Sequence, residues 1–327
     1  MKLPEGTLNT ERSFERAFLT RAGARKELSY MKTVAAFGFV MLSMSSLVAQ
    51  EATEGKTYQL AEENARFPIG RQFLQKHRLS GKDAALTLRI GEHEIEGTMN
   101  NLTLEERVVA FPEEGKIRIS VLKDQSKMAM TLGGNPVPPR DEVKPAVGKV
   151  FLLERKEGQW VGRVEKGEVL PGEKEEVKKE MEKMEKIFNE GEDAKLYGVV
   201  PRAVGERWDV DPKFMPGMGD MEVTGGKLSL HFKEVKDYQG ELCAVVETTF
   251  DVKALSNEED QKGMVMNLRG SGRILRSLAL MTDYKFMGEA LFVMEGDVPP
   301  PAPPNAQMKM NGEMTVETRM TEIKAGE

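Results

Sequence analysis

One stretch of this chain carries a helical period, while the sequence on both sides alternates with period two. That contrast limits the fold more than any other feature. Residues 173–190 (EKEEVKKEMEKMEKIFNE) set Val177, Met181, Met184, Ile187 and Phe188 at steps of four, three, three and one, a single narrow apolar stripe. Charged residues fill most of the remaining positions, so only one face is built to be buried. Glu175–Lys179 and Glu182–Lys186 have the acid-first i,i+4 spacing that supports a helix, and Gly191 stands where a C-terminal cap belongs. A stripe this narrow suits one sheet face rather than burial on two sides.

The flanking regions, 56–167 and 199–325, read as strands. Leu86, Leu88 and Ile90 alternate up to a turn at Gly91-Glu92. Ile117, Ile119 and Val121 alternate with polar neighbours, as do Met128, Met130 and Leu132. Gly133-Gly134-Asn135-Pro136 breaks that run, and the proline-rich residues 137–145 read as a loop. Glu157-Gly158 predicts a hairpin that delivers the chain to the helix. Beyond the helix, Leu228, Leu230 and Phe232 face a second alternating run, Leu242 to Val252, across a turn at 236–241. A two-residue hairpin at Asn311-Gly312 would mix the faces of Met308, Met310, Met314, Val316 and Met320. All five share one parity, so a single strand running through Gly312 is expected. The expected fold is mainly β: a large curved antiparallel sheet or open barrel over residues 51–327, with one amphipathic helix packed on it.

Three segments share the pattern aliphatic-Gly-x-x-aromatic soon after a proline. They are Ile69-Gly70-Arg71-Gln72-Phe73, Val147-Gly148-Lys149-Val150-Phe151 and Val204-Gly205-Glu206-Arg207-Trp208. Their separations are unequal, which excludes a regular repeat architecture; a shared way of opening a strand after a turn is the expected reading, with an ancient duplication of the β region as the alternative.

Residues 31–50 (MKTVAAFGFVMLSMSSLVAQ) have a start-like Met-Lys, a short apolar run and then small residues, the pattern of an export signal. Residues 1–30 are polar, and Met31 reads as the start of the natural chain. Net charge is −6 for the whole sequence. Without residues 1–50 it is −9, 40 basic against 49 acidic. That balance argues against nucleic acid and against an anionic membrane surface as partners, leaving the signal segment as the expected membrane contact. Cys243 is the single cysteine, so no internal disulfide forms. The expected location is periplasmic or secreted in a bacterium.

Candidates for chemistry are few. His77, His93 and His231 are the only histidines, and His93-Glu94 has Gly97 where a zinc motif needs its second histidine. Gly270-Ser271-Gly272 lacks the spacing of a nucleophile elbow, and Asp209 and Asp211 read as turn formers. No catalytic residue, metal or cofactor is assigned, and a non-enzyme is expected. Methionine is the unusual element: 17 of 21 lie beyond residue 50. Pairs such as Met128/Met130, Met264/Met266 and Met308/Met310 put two thioethers on one side of a strand. Met181, Met184, Phe188, Met264, Met266, Met308 and Met310 form the candidate apolar ligand face. Closed core packing and soft-metal binding of Cu(I) are the competing readings of the same residues.

The segment Pro201-Arg202-Ala203-Val204-Gly205-Glu206-Arg207-Trp208-Asp209-Val210-Asp211-Pro212 resembles one that recurs in exported bacterial β-rich proteins of unknown function. There Val-Gly-Asp-x-Trp opens a β region; here Glu206 replaces the aspartate. The order of helix and strands after an export signal is also similar to the LolA-type open-barrel lipoprotein carriers. That resemblance implies a curved antiparallel sheet with an apolar concave face and a lipid or lipoprotein partner. A purely structural or adhesion module, in which the methionine faces are closed core, is the alternative from another class.

Overall fold

The computed structural model describes residues 55–63, 67–190, 192–215, 221–256, 263–298 and 305–324. The described residues all belong to one compact unit, Gln50–Glu327. The export signal at 31–50, the upstream segment 1–30 and the cap at Gly191 lie outside them.

The first half of the unit holds β1 (Thr57–Tyr58), β2 (Gln72–Ile90), β3 (His93–Ala110), β4 (Lys116–Leu132), β5 (Asn135–Val143), β6 (Val150–Lys156) and β7 (Gln159–Lys166). Helices α1 (Lys174–Glu190) and α2 (Glu192–Tyr197) follow. The second half holds β8 (Arg202–Ala203), β9 (Arg207–Val210), β10 (Met221–Tyr238), β11 (Glu241–Ser256), β12 (Val265–Ser277), β13 (Asp283–Asp297) and β14 (Ala306–Glu322). Twelve strands form one antiparallel sheet in the order β7-β6-β4-β3-β2-β14-β13-β12-β11-β10-β9, with β5 on the far half of β4, and β1 pairs separately with β8. Two meanders are thus joined where the last strand, β14, pairs with β2. The sheet stays open between its edges β7 and β9, and the chain between those edges contains both helices. The expected mainly-β class, an open curved antiparallel sheet with one long helix, is the observed one.

Local chemistry explains these strands. Tight hairpins at Gly133-Gly134, Glu157-Gly158 and Gln239-Gly240 have positive φ at both central residues, as the twist of the flanking strands requires. The three Gly-x-x-aromatic segments share one device. Arg71, Lys149 and Glu206 donate their N–H groups to Pro68, Ala146 and Ala203 at 3.0, 3.1 and 3.0 Å. Each closes a β-turn whose third residue is Gly70, Gly148 or Gly205, at φ 80°, 79° and 91°. The turn then clamps a neighbouring strand: Gly70 and Arg71 exchange hydrogen bonds with Phe111, Gly148 and Lys149 with Val121, and Gly205 and Glu206 with Phe232. Each turn also delivers an aromatic ring, Phe73, Phe151 or Trp208, to a different apolar cluster.

β14 runs unbroken through Gly312 as its parity requires. A Cβ there would lie 2.7 Å from the Ala84 Cβ, and the ladder with β2 shifts register between Asn311 and Glu313. Residues 137–145 correct the sequence reading: most of them belong to β5, not to a loop. Pro136, Pro138 and Pro139 are tolerated because β5 is an edge strand with one neighbour, and the ladder bulges between Met128 and Met130. α2 was not anticipated, since six residues carry too little periodicity to stand out.

α1 packs over β4, β6 and β7. Val177 and Met184 are buried there, with Met181 and Phe188 against Phe151, Leu153 and Trp160. Ile187 departs from the expected stripe and is 46 % exposed. The helix also covers the free edge of β7. Asn189 accepts from Trp160 N–H at 2.7 Å and donates to its carbonyl at 3.1 Å, and Glu185 accepts from Gly162 N–H at 2.5 Å. Side chains here replace the missing neighbouring strand.

Candidate functional site

Side chains along a strand point alternately to the two faces, so the ladder registers place residues from six strands, β12, β13, β14, β2, β3 and β4, on one inner face. At one end the row is apolar: Met266 lies opposite Met294, Met294 opposite Met310, Met310 opposite Leu86, and Gly97 opposite Leu132. These residues merge into the larger core around Phe250, Phe292, Leu230 and Tyr197. Two rows follow along the strands. One is Ala290, Met314, Gly81, Asn101 and Met128; the next is Gly288, Val316, Leu79, Thr103 and Ser126. Leu79, Val316 and Met128 are half-buried and belong to none of the three apolar clusters. Beside them Phe286 lies across two glycines, where a Cβ on Gly272 or Gly288 would come 2.5 or 2.7 Å from its ring. The result is a low floor with few side chains, an apolar strip between the main core and the core beneath α1.

The next row is polar. Thr318 lies opposite His77, His77 opposite Glu105, and Glu105 opposite Asp124. His77 Nδ1 is 3.0 Å from Thr318 Oγ1. Arg107, on the same face, pairs with Glu105 at 3.1 Å and with Glu180 of α1 at 2.8 Å, while its buried Nε has no hydrogen-bond partner among the described residues. Burial, reinforced by the charges of Glu105 and Glu180, pushes the Asp124 carboxyl up to about 6. Burial holds the His77 imidazole below its ordinary range, against the pull of Glu105. An apolar strip ending in converging titratable groups is the usual layout of a site for an elongated molecule with one polar end.

The sequence-derived ligand face is split by this geometry. Met181, Met184 and Phe188 sit in the cluster under α1, with Met184 only 1 % exposed. Met308 and Met310 belong to the main core, Met266 lies beside it in the thioether row, and Met264 is buried at the end of β12. The two groups are not brought together. The residues that do line the open strip, Leu79, Val316 and Met128, were missed as site residues. Met128 and Val316 had the right parity, but parity alone does not say which positions remain uncovered.

The remaining candidates are structural. Asp211 accepts from Lys213 N–H at 3.1 Å and organises the turn expected of it, whereas Asp209 lies within β9 and accepts from Ser229 Oγ of β10 at 2.5 Å across the ladder. His93 is exposed beside the β2–β3 turn, and His231 lies 3.4 Å from Glu247. Among the described residues no group of three or more His, Cys, Asp or Glu side chains is placed to hold a metal ion. A separate buried ion network centres on Arg276 of β12. Arg276 donates to the Leu60 carbonyl at 2.6 Å, to Asp283 at 2.6 Å and to Asp193 at 2.7 Å, and its guanidinium sits 4.0 Å from the centre of the Tyr197 ring. It ties the N-terminal segment and α2 onto the sheet.

No family model and no curated protein matches this sequence. Among solved structures, one described as "lipid-protein interactions in lipovitellin" is similar over 80 % of this chain and 26 % of that one, with 10 % identity and a TM-score of 0.35. An outer membrane channel from Pseudomonas putida F1 is similar over 79 % of this chain and 98 % of that one, with 10 % identity and a TM-score of 0.19. This chain spans about a quarter of the lipovitellin chain. Likenesses at these scores carry no argument about what the protein binds.

Proposed function

We propose that this is an exported, non-catalytic binder of an apolar or amphiphilic ligand of the lipid class, working in the periplasm or outside the cell as a component of a bacterial envelope. The ligand lies along the inner face over Leu79, Val316 and Met128, with its polar end toward His77, Glu105 and Arg107. One observation carries this proposal: an apolar strip on the sheet lies outside all three packed clusters. The perturbed Asp124 and His77 at its polar end support the same placement.

A second function, a structural or adhesion module with no small-molecule ligand, is favoured by the burial of Met184, Met264 and Met310, three of the residues expected to face a ligand. Native mass spectrometry of the full chain purified from its host separates the two. Co-purifying lipid supports the binder. Repeatedly clean apo-protein that also ignores a fluorescent fatty acid supports the structural module.

A further inference from the structure

Five methionines gather toward the end of the inner face away from His77. Met266, Met294 and Met310 stand directly opposite one another on β12, β13 and β14. Met308 lies two residues before Met310, on the same face of β14, and opposite Gly296 of β13. Met264 completes the group. A Cβ on Gly296 would lie 2.8 Å from the Met264 Cα and 3.2 Å from its Cγ, so the glycine leaves that space to the methionine.

Residues directly opposite on neighbouring strands have Cβ atoms about 5 Å apart. Three thioethers on consecutive strands can therefore turn toward one point above the middle strand, and the unbranched methionine side chain has the rotational freedom to do so. The side chains that flank them, Ala254, Leu86 and Leu88, carry no donor atom. Glu295 and Lys309 alternate to the outer face, opposite each other. Met310 and Met264 are buried, whereas Met266, Met294 and Met308 are half-buried, and neither Met264 nor Met266 belongs to any of the three packed clusters. Three of the five sulfurs thus remain within reach of solvent at one place on the sheet. Thioethers are neutral, soft donors that select Cu(I) over harder cations.

We infer that Met266, Met294 and Met310 form a binding site for Cu(I), with Met308 or Met264 supplying a fourth sulfur. The site is independent of the strip assigned to the lipid-class ligand. Met310 and Val316 are six residues apart on β14, about 20 Å along the strand.

Titration of the full chain with Cu(I), kept reduced by ascorbate and competed by bicinchoninate, tests it. The parent should take up one equivalent at this site with a Kd of about 1 μM or tighter, and excess Zn(II) should not displace it. X-ray absorption at the copper edge should show an all-sulfur shell. Leucine matches methionine in volume but offers no donor. M266L/M294L/M310L should therefore keep the parent's melting temperature within a few degrees and lose about tenfold or more in Cu(I) affinity. M294L alone, at the half-buried centre of the row, should weaken binding in the same direction and decides the matter if the triple variant does not fold. M181L/M184L, under α1, and Cys243→Ser, in a separate cluster, should bind like the parent. No stoichiometric uptake by the parent, parent-like affinity in the folded row variants, oxygen or nitrogen in the copper shell, or a loss confined to Cys243→Ser would overturn the site.

Discussion

Asp124 sits where its charge is costly, buried on the inner face near Glu105 and Glu180. Its folded-state value of about 6 lies above the ordinary 3.8, so the folded protein holds a proton that the unfolded chain has released. Stability from this group is complete below about pH 4 and is lost as pH climbs through 6, amounting to up to about 3 kcal/mol. Asp124→Asn should therefore melt several degrees above the parent at pH 8 and level with it at pH 4. Equal melting at both values would show that Asp124 is not strained. His77 is shifted downward and acts in the other direction, costing stability as pH falls below its ordinary 6.5, so the comparison is made at matched pH. Arg276, fully buried, is the second test at this scale. Arg276→Met leaves Asp283 and Asp193 without their partner, and denaturant unfolding should register a loss of about 3 kcal/mol. Neither group could be recognised in the sequence. Alternation shows which way His77, Glu105 and Asp124 point, but they lie on three strands, and only the ladder register makes them neighbours. Arg276 stands in an otherwise apolar run, and its partners come from α2 and β13.

The elements were easier to read, because period and turn chemistry are local. α1 was legible from its stripe and charges, the hairpins from Glu157-Gly158 and residues 236–241, and the straight β14 from the shared parity of its methionines. β5 was not, since its prolines contradict every local strand rule and only its edge position admits them. The role of α1 as an edge cover was equally hidden, because Glu185 and Asn189 look like ordinary surface residues of a charged helix. Replacing both by alanine should expose the β7 edge. Each lost hydrogen bond should cost about 1 kcal/mol, and light scattering coupled to size exclusion should detect self-association absent from the parent. A variant that stays monomeric with an unchanged melt would remove the edge-cover role. Met184→Asp tests whether α1 is core or lid: its burial calls for a loss of about 4 kcal/mol or more, whereas a mobile lid would tolerate it.

For the whole molecule, the sequence order β, helix, β becomes two meanders joined by β14 and β2 and left open where the helices lie. The Gly-x-x-aromatic turns open strands at three places and deliver rings to three separate clusters, which is why they recur without an even spacing. What remains uncovered between those clusters is a long-range outcome of the register. This is why the methionine parity could place residues on one face of a strand without showing which of them stay uncovered. The central claim is that the uncovered strip holds a ligand. Titration of a fluorescent fatty acid into the full chain and into the double variant Leu79→Asp/Val316→Asp tests it most directly. The parent should bind saturably and the variant should lose about tenfold or more in affinity, with an unchanged circular-dichroism spectrum. Binding that is equal in the two proteins, or absent from the parent, would contradict it.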